Sequence, residues 1–236
     1  MYASDRHSRR RFLRHAGLGI AALSLAAPLR RALADAPQNA ITPQVALDRL
    51  MAGNARYVAG KLDAKDFSAG RAARAKAQHP IASILSCADS RVAPELIFDQ
   101  APGDLFVLRV AGNYLNPDVL SSLEYGVGVL GTPLVMVLGH SNCGAVKAAI
   151  QEIQSSKPLP GHIWDITDAV RPGIAGVVKA GGDDLLERAI DANVGYNVSR
   201  IASAQPIIAE AVKSGRVRVA GAEYELASGK VALLKG

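Results

Sequence analysis

Aromatic side chains and cysteines are scarce in this chain. Phe, Trp and Tyr make up 5% of its 236 residues, which argues against a stacking platform for single-stranded nucleic acid. Cys87 and Cys143 are the only cysteines. Hydrophobic residues make up 49% of the chain, enough to bury a real core, and the length suits one sizeable domain rather than two.

A basic excess is absent outside the first 34 residues. The formal net charge is +6, but seven of the 27 basic side chains and one of the 21 acidic ones lie in residues 1–34. The rest of the chain carries 20 side chains of each sign. If residues 1–34 are removed in the cell, a nucleic-acid-binding basic surface has no support.

Long apolar runs are also absent. The run 16–29 spans 14 residues, fewer than the ~20 that a transmembrane helix needs, so we expect no stable membrane span. It follows the paired arginines of Ser8–Arg14 and precedes Ala32-Leu33-Ala34, which has the small-x-small pattern of a signal-peptidase site. This order predicts a cleaved twin-arginine signal peptide over 1–34, export to the periplasm by the twin-arginine machinery, and a mature domain over 35–236. The alternative is an amphipathic helix that the mature protein keeps.

Short apolar runs alternate with helical patterns through the rest of the chain. Buried strands are predicted at 81–86, 105–110 and 134–138, and helices at 121–130, 145–153, 184–203 and 206–214. A capped helix is predicted to begin at Thr42-Pro43, and a terminal hairpin to join 217–226 to 231–234. The alternation predicts one α/β domain with a mainly parallel sheet flanked by helices.

Each cysteine follows a predicted buried strand, and the carboxyl ends of parallel strands meet at one edge of a sheet. His140 lies three residues before Cys143, and Asp89 lies two residues after Cys87. Two thiolates, an imidazole and a carboxylate are ligands that zinc accepts. The spacing therefore favours a metal site, and a disulfide between Cys87 and Cys143 is the alternative for an exported protein.

The pattern Cys-x-Asp-x-Arg at 87–91, followed by His-x-x-Cys at 140–143, resembles the β-class carbonic anhydrases. Four longer stretches resemble that family in the same order: QHPIASILSCADSRV (78–92), PGDLFVLRVAGN (102–113), SLEYGVGVLGTPLVMVLGHSNCGAVKAA (122–149) and VRVAGAEYELASG (217–229). The resemblance covers roughly residues 43–235. It implies the β-carbonic-anhydrase fold and reversible hydration of CO₂ to bicarbonate and a proton, by attack of zinc-bound hydroxide.

The resemblance also implies roles for the motif residues. Cys87, His140 and Cys143 would bind one Zn²⁺ per chain, with water or Asp89 in the fourth position. When Asp89 pairs with Arg91, that position stays open for water, and when Asp89 binds the zinc, it is closed.

Other positions match the substrate pocket of the family. Gln78 matches a glutamine whose amide faces the substrate, and Phe106, Ala111 and Tyr125 match positions in the pocket wall. Gly144 either offers a backbone N–H or permits a tight turn. The family builds this pocket between two subunits, so the resemblance implies a homodimer or a larger homo-oligomer.

One position departs from a bicarbonate-inhibited subgroup of the family. Ile84 stands where that subgroup has tryptophan, and an aliphatic side chain cannot donate a hydrogen bond, although Arg109 matches the arginine of that anion site. We therefore expect an open, water-bound zinc near neutral pH. The alternatives are a COS or CS₂ hydrolase on the same scaffold, a non-catalytic zinc-stabilised binding module, and a disulfide-stapled export factor.

Overall fold

The computed structural model describes residues 41–235. The expected signal peptide over 1–34 lies outside these residues, as does the expected start of the mature domain at Asp35. Within residues 41–235, no helix combines the length and apolar character that crossing a membrane requires.

In the described part of the chain, five strands form a single sheet in the order β2-β1-β3-β4-β5. They are β1 (Ala82–Ser86), β2 (Leu105–Arg109), β3 (Leu134–His140), β4 (Arg218–Tyr224) and β5 (Val231–Leu233). The first four strands are mutually parallel, and β5 pairs antiparallel with β4. The predicted α/β fold with a mainly parallel sheet and a C-terminal hairpin is therefore confirmed.

Eight helices are described between residues 41 and 235 and flank the sheet. They are α1 (Pro43–Val58), α2 (Arg71–Arg74), α3 (Pro94–Ile97), α4 (Pro117–Gly128), α5 (Gly144–Ser155), α6 (Ile163–Ala180), α7 (Leu185–Ala202) and α8 (Ile207–Lys213).

Successive residues of the central strands face opposite sides of the sheet. All residues of β1 and β3 are buried, as expected for central strands covered on both faces. Ile84 packs into the core beneath α1 and α3, whereas its neighbour Leu85 packs into the core beneath α4, α7 and α8. A third apolar cluster surrounds Cys87 and Cys143 with residues of α5, α6 and α7. The cysteines therefore lie where the sheet edge meets three helices.

Helices α1 and α4 each begin with a proline that directly follows a side-chain N-cap. The Thr42 hydroxyl accepts a hydrogen bond from Val45 N at 3.2 Å, ahead of Pro43, which confirms the predicted start of α1. Asn116 caps α4 in the same way, accepting from Val119 N at 2.8 Å, and Pro117 is the first helical residue. The predicted start of α4 at residue 121 is wrong by four residues, because the Asn116-Pro117 pair already begins the helix.

The long helix α6 was not predicted at all. Its interior contains Pro172, a residue that usually ends a helix. The buried residues Val170, Ile174 and Val178 nevertheless recur every four positions, which is the spacing of one helical face. That spacing is the sequence signal from which the helix could have been found.

Candidate metal centre

Three potential metal ligands meet at the carboxyl edge of the sheet. Cys87 directly follows β1, His140 ends β3, and Cys143 immediately precedes α5. Since β1 and β3 are adjacent and parallel, with Ser86 opposite Leu138, both strands deliver their next residues to the same edge. The two Sγ atoms and a ring nitrogen of His140 all lie within 4.8 Å of one another. The three residues are 5%, 0% and 1% exposed, in chain order.

The imidazole of His140 presents a free nitrogen to this cluster. Its Nδ1 lies 2.9 Å from the carbonyl oxygen of Ser141 and donates to it in the neutral tautomer with Nε2 unprotonated. Nε2 is buried and has no hydrogen-bond partner within residues 41–235. Because a buried polar atom without a partner is costly, this nitrogen fits a metal ligand. Burial lowers the pKa of His140, but the Cys87 thiolate, the Ser141 carbonyl and the Asp89 carboxylate together outweigh burial and raise it.

The two thiols have opposite acidities. Hydrogen bonding from the Cys143 thiol, helped by His140 and by the amide of Gly112, lowers the pKa of Cys87 to about 4 despite its burial. The Cys87 thiolate in turn raises the pKa of Cys143, and burial adds to that rise. Only thiolates ligate metals, so a metal that binds both sulfurs displaces the proton that remains on Cys143. Neither cysteine forms a disulfide in the structure.

Asp89 lies beside the cluster but is paired with Arg91. Arg91 Nε and Nη2 donate to the two carboxylate oxygens at 2.9 and 2.7 Å, and the Arg91 backbone N–H donates at 2.9 Å. Asp89 Oδ2 is also 3.9 Å from His140 Nε2. The Arg91 side chain holds the pKa of Asp89 well below its usual range, so the carboxylate is ionised. The structure thus shows Asp89 in its Arg91-paired arrangement.

Arg109 fixes the loop that carries both Cys87 and Asp89. Its Nε donates to the Cys87 carbonyl at 3.0 Å, and its Nη2 donates to the Asp89 carbonyl at 2.7 Å. Sequence reasoning matched Arg109 to an anion-site arginine and missed this contact. The signal lies in the strand register, which places Arg109 opposite Ser86 at the end of β1.

The loop of His140 and Cys143 is tied to the C-terminal hairpin. The Ser141 hydroxyl donates to Glu225 Oε1 at 2.9 Å and accepts from Leu226 N at 3.0 Å. The Ser141 N–H donates to the Tyr224 carbonyl at 3.0 Å. These residues were not expected from the sequence, because their pairing depends on β4 lying next to β3.

Two of the expected pocket residues lie near the cluster. Ala111 precedes Gly112, whose N–H donates to Cys87 Sγ at 3.3 Å. Gly144 follows Cys143 and opens α5 with a φ outside the left-handed range, and a Cβ there would meet no atom within 4 Å. The tight-turn explanation for Gly144 is therefore not supported within one chain, and its backbone N–H remains the other candidate role.

The other expected pocket residues are not brought to the cluster within one chain. Gln78 precedes β1 and lines a cavity with residues 101–104, at the opposite edge of the sheet from Cys87. Phe106 pairs in register with Ser83, four residues before Cys87. Its ring lies 6.2 Å from that of Tyr125, which is 47% exposed. These three side chains therefore lie away from the ligand cluster of their own chain.

The fold and the ligand cluster together define an α/β protein with a buried candidate metal centre at the carboxyl edge of a mostly parallel sheet. Comparison with known proteins narrows this class. The family model of carbonic anhydrase matches residues 82–231. A carbonic anhydrase from Mycolicibacterium smegmatis is 40% identical over 192 residues, which are 81% of this chain and 93% of that protein.

Solved structures agree with this match. The Coccomyxa β-carbonic anhydrase in complex with acetazolamide has a TM-score of 0.63 at 29% identity, over 80% of this chain and 81% of that one. A tetrameric β-carbonic anhydrase from Sordaria macrospora has a TM-score of 0.61 at 25% identity, over 71% and 87%. The chain therefore belongs to the β-class carbonic anhydrase family, and the enzyme class expected from the resemblance is confirmed.

Proposed function

We propose that this chain hydrates CO₂ reversibly at a zinc ion held by Cys87, His140 and Cys143. The observation that carries the proposal is the buried triangle of two sulfurs and one ring nitrogen within 4.8 Å, with His140 Nε2 lacking any partner within residues 41–235. Sulfur and imidazole donors are those that zinc prefers. When bound, zinc supplies a Lewis acid that lowers the pKa of water toward ~7.

Asp89 and Arg91 act on the water that attacks CO₂. The Asp89 carboxylate, whose Oδ2 lies 3.9 Å from His140 Nε2, would accept a hydrogen bond from a water on the zinc and so orient it toward CO₂. The fork from Arg91 balances the carboxylate charge and keeps Asp89 off the metal. The paired arrangement in the structure supports an open site.

A second copy of the chain completes the substrate pocket. Gln78, Phe106 and Tyr125 lie away from the metal cluster of their own chain, and Tyr125 is about half exposed. A partner that places these side chains over the cluster would supply the missing walls. The tetrameric Sordaria macrospora relative supports a homodimer or a larger homo-oligomer. Sedimentation of the chain as a monomer with full turnover would contradict this part of the proposal.

The test is zinc content together with stopped-flow CO₂ hydration by the full chain, between about pH 6.5 and 9. We expect about one zinc per chain and turnover that rises with pH, because deprotonated water is the nucleophile. Cys143→Ser should lose both zinc and turnover. His162→Ala is the matched control, because it removes an imidazole that is fully exposed and should leave both unchanged.

Two outcomes would refute this function in different ways. Stoichiometric zinc without turnover at any pH would reject CO₂ hydration and leave COS or CS₂ hydrolysis or a binding role. Absence of zinc, with Cys87 and Cys143 oxidised to each other in fresh protein, would reject the metal site.

We further propose that residues 1–34 direct the protein to the periplasm. The support is the paired arginines at Arg9-Arg10, the short apolar run and the Ala32-Leu33-Ala34 pattern. Periplasmic protein should begin at Asp35 by N-terminal sequencing, and replacing Arg9 and Arg10 with lysine should retain the full chain in the cytoplasm. Unchanged export of the lysine variant would contradict the twin-arginine route.

A further inference from the structure

Two asparagines of α7 lie inside the protein. Asn193 and Asn197 are 1% and 0% exposed, and their spacing of four residues places them on one face of the helix. The Asn197 Nδ2 group donates to the backbone carbonyl of Asn193 at 2.8 Å and to its side-chain oxygen at 3.1 Å. Burying a side-chain amide is costly unless its hydrogen bonds are made. The other hydrogen-bond partners of these two asparagines therefore indicate which part of the chain they position.

The pair holds both ends of the segment 112–115, which follows β2. Asn193 Nδ2 donates to the Gly112 carbonyl at 2.9 Å, and Asn197 Oδ1 accepts from Leu115 N at 2.8 Å. Between these contacts the backbone has φ of +84° at Gly112 and +42° at Asn113. A positive φ is uncommon for a non-glycine residue, although asparagine adopts it more readily than most. The two asparagines therefore hold both ends of a segment whose backbone lies in the left-handed region.

This segment also carries a hydrogen bond to the metal centre. The Gly112 N–H donates to Cys87 Sγ at 3.3 Å, and the carbonyl that Asn193 binds belongs to the same residue. The N–H of Gly112 belongs to the Ala111–Gly112 peptide, which is the central peptide of a turn closed by the Asn113 N–H donating to Val110 O at 3.0 Å. Holding the Gly112 carbonyl fixes one end of this turn, so the direction of the N–H is restricted as well. An N–H donor draws negative charge from a thiolate and reduces its donation to a bound metal.

We propose that Asn193, supported by Asn197, is a positioning residue that holds the Gly112 amide on the Cys87 thiolate. It thereby sets both the geometry and the electron donation of that ligand. This inference rests on the proposed zinc site. The geometry and the electron donation of the Cys87 ligand would then depend on a residue of α7, a helix that supplies none of the three ligands.

The test uses the full chain loaded with Zn²⁺ or Co²⁺. Zinc affinity is measured against a chromophoric chelator, and the thiolate-to-cobalt charge-transfer band is measured by absorption. For Asn193→Ala we expect zinc affinity to fall on the order of 10–100-fold, because losing the restraint on the position of Cys87 outweighs the stronger donation of a sulfur without its N–H donor. We expect the band to move to lower energy, because a sulfur without its N–H donor gives up an electron more easily. Asn197→Ala should change both in the same direction by less, and it carries the test if Asn193→Ala does not fold.

Asn54 provides a matched control on α1. It is 4% exposed and makes three buried hydrogen bonds, to Ile97 O at 3.1 Å, Gly229 O at 2.9 Å and Val231 N at 2.9 Å. Asn54→Ala should therefore lower stability but keep the affinity and the band of the parent.

A folded Asn193→Ala with the affinity and band of the parent would overturn the inference, and so would equal shifts in Asn54→Ala. If the parent chain itself binds no zinc, the zinc site is refuted and the inference fails with it. If the parent binds zinc normally and the variants do not differ from it, only the role of Asn193 is refuted.

Discussion

Adding a single methyl group at Gly112 should disturb both the fold and the metal centre. Gly112 has a φ of +84°, and a Cβ there would lie 3.1 Å from Ala145 Cβ and 3.1 Å from Val170 Cγ2. Left-handed backbone costs a non-glycine residue about 1–2 kcal/mol, and overpacking a dense core costs about 1–3 kcal/mol. The smaller entropy of the unfolded alanine chain returns about 0.4–1 kcal/mol. We therefore expect Gly112→Ala to lose about 2–4 kcal/mol of unfolding free energy.

For a chain of this size, 1 kcal/mol shifts the melting temperature by roughly 2–4 °C, so Gly112→Ala should melt roughly 5–15 °C below the parent. Calorimetry of the zinc-loaded protein measures this shift. Zinc affinity should fall as well, because any backbone adjustment that relieves the crowding moves the N–H off Cys87 Sγ. A competition titration with a chelator measures the affinity.

Gly144→Ala is the control, since it adds the same methyl group on the other side of the cluster. That methyl would contact nothing within 4 Å, and alanine is a better helix former than glycine, so the melting temperature should stay level or rise slightly. A drop in turnover there without a loss of stability would indicate that substrate or a partner approaches Gly144. If Gly112→Ala melts with the parent and binds zinc equally well, the close packing and the amide contact inferred at Gly112 are wrong.

Three further outcomes follow from the described contacts. Arg91→Ala frees the Asp89 carboxylate to bind the metal, so turnover at neutral pH should fall on the order of 10–100-fold at unchanged zinc content; loss of zinc instead would contradict this explanation. Burial and neighbouring carboxylates raise the pKa of Glu223 to about 7. Its ionised form therefore destabilises the fold, with no penalty below about pH 4.5 and the full penalty above pH 7. Glu223→Gln should raise the melting temperature at pH 8 and leave it unchanged near pH 4, and an equal rise at both values would refute the titration. A Cβ at Gly53 would lie 1.8 Å from the backbone oxygen of Phe98, so Gly53→Ala should lose about 4 kcal/mol or more in urea unfolding, and a loss below about 1 kcal/mol would refute the contact.

The central strands β1 and β3 could be predicted because a strand that is buried on both faces is mostly apolar in sequence. β1 and β3 are mostly apolar, with Ser83 and Ser86 in β1 and His140 at the end of β3, and every residue in them is buried, so composition marks them within one or two residues. Helix boundaries depend on single capping residues, and the four-residue error at the start of α4 came from passing over Asn116-Pro117. The absence of a prediction for α6 has a similar origin, since Pro172 obscured a regular apolar spacing.

The cluster of candidate ligands could be predicted because two of its members are local in sequence. His140 and Cys143 lie on one loop, and strand order brings that loop to Cys87. Arg109 and Asn193 could not be found in this way. Arg109 depends on the register between β1 and β2, and Asn193 contacts Gly112 across 81 residues of chain.

Backbone amides help both sulfurs of the buried cluster to carry negative charge. Cys87 receives the Gly112 amide at 3.3 Å. Cys143 stands at the start of α5 and accepts backbone hydrogen bonds from Ala145 and Val146, where the helix dipole also favours negative charge. The Gly112 amide therefore stabilises the Cys87 thiolate, and the backbone donors of α5 partly offset the raised pKa of Cys143, which lowers the cost of removing its proton when a metal binds. It follows that affinity for the metal depends on the packing that aims these amides, and not on the three ligands alone.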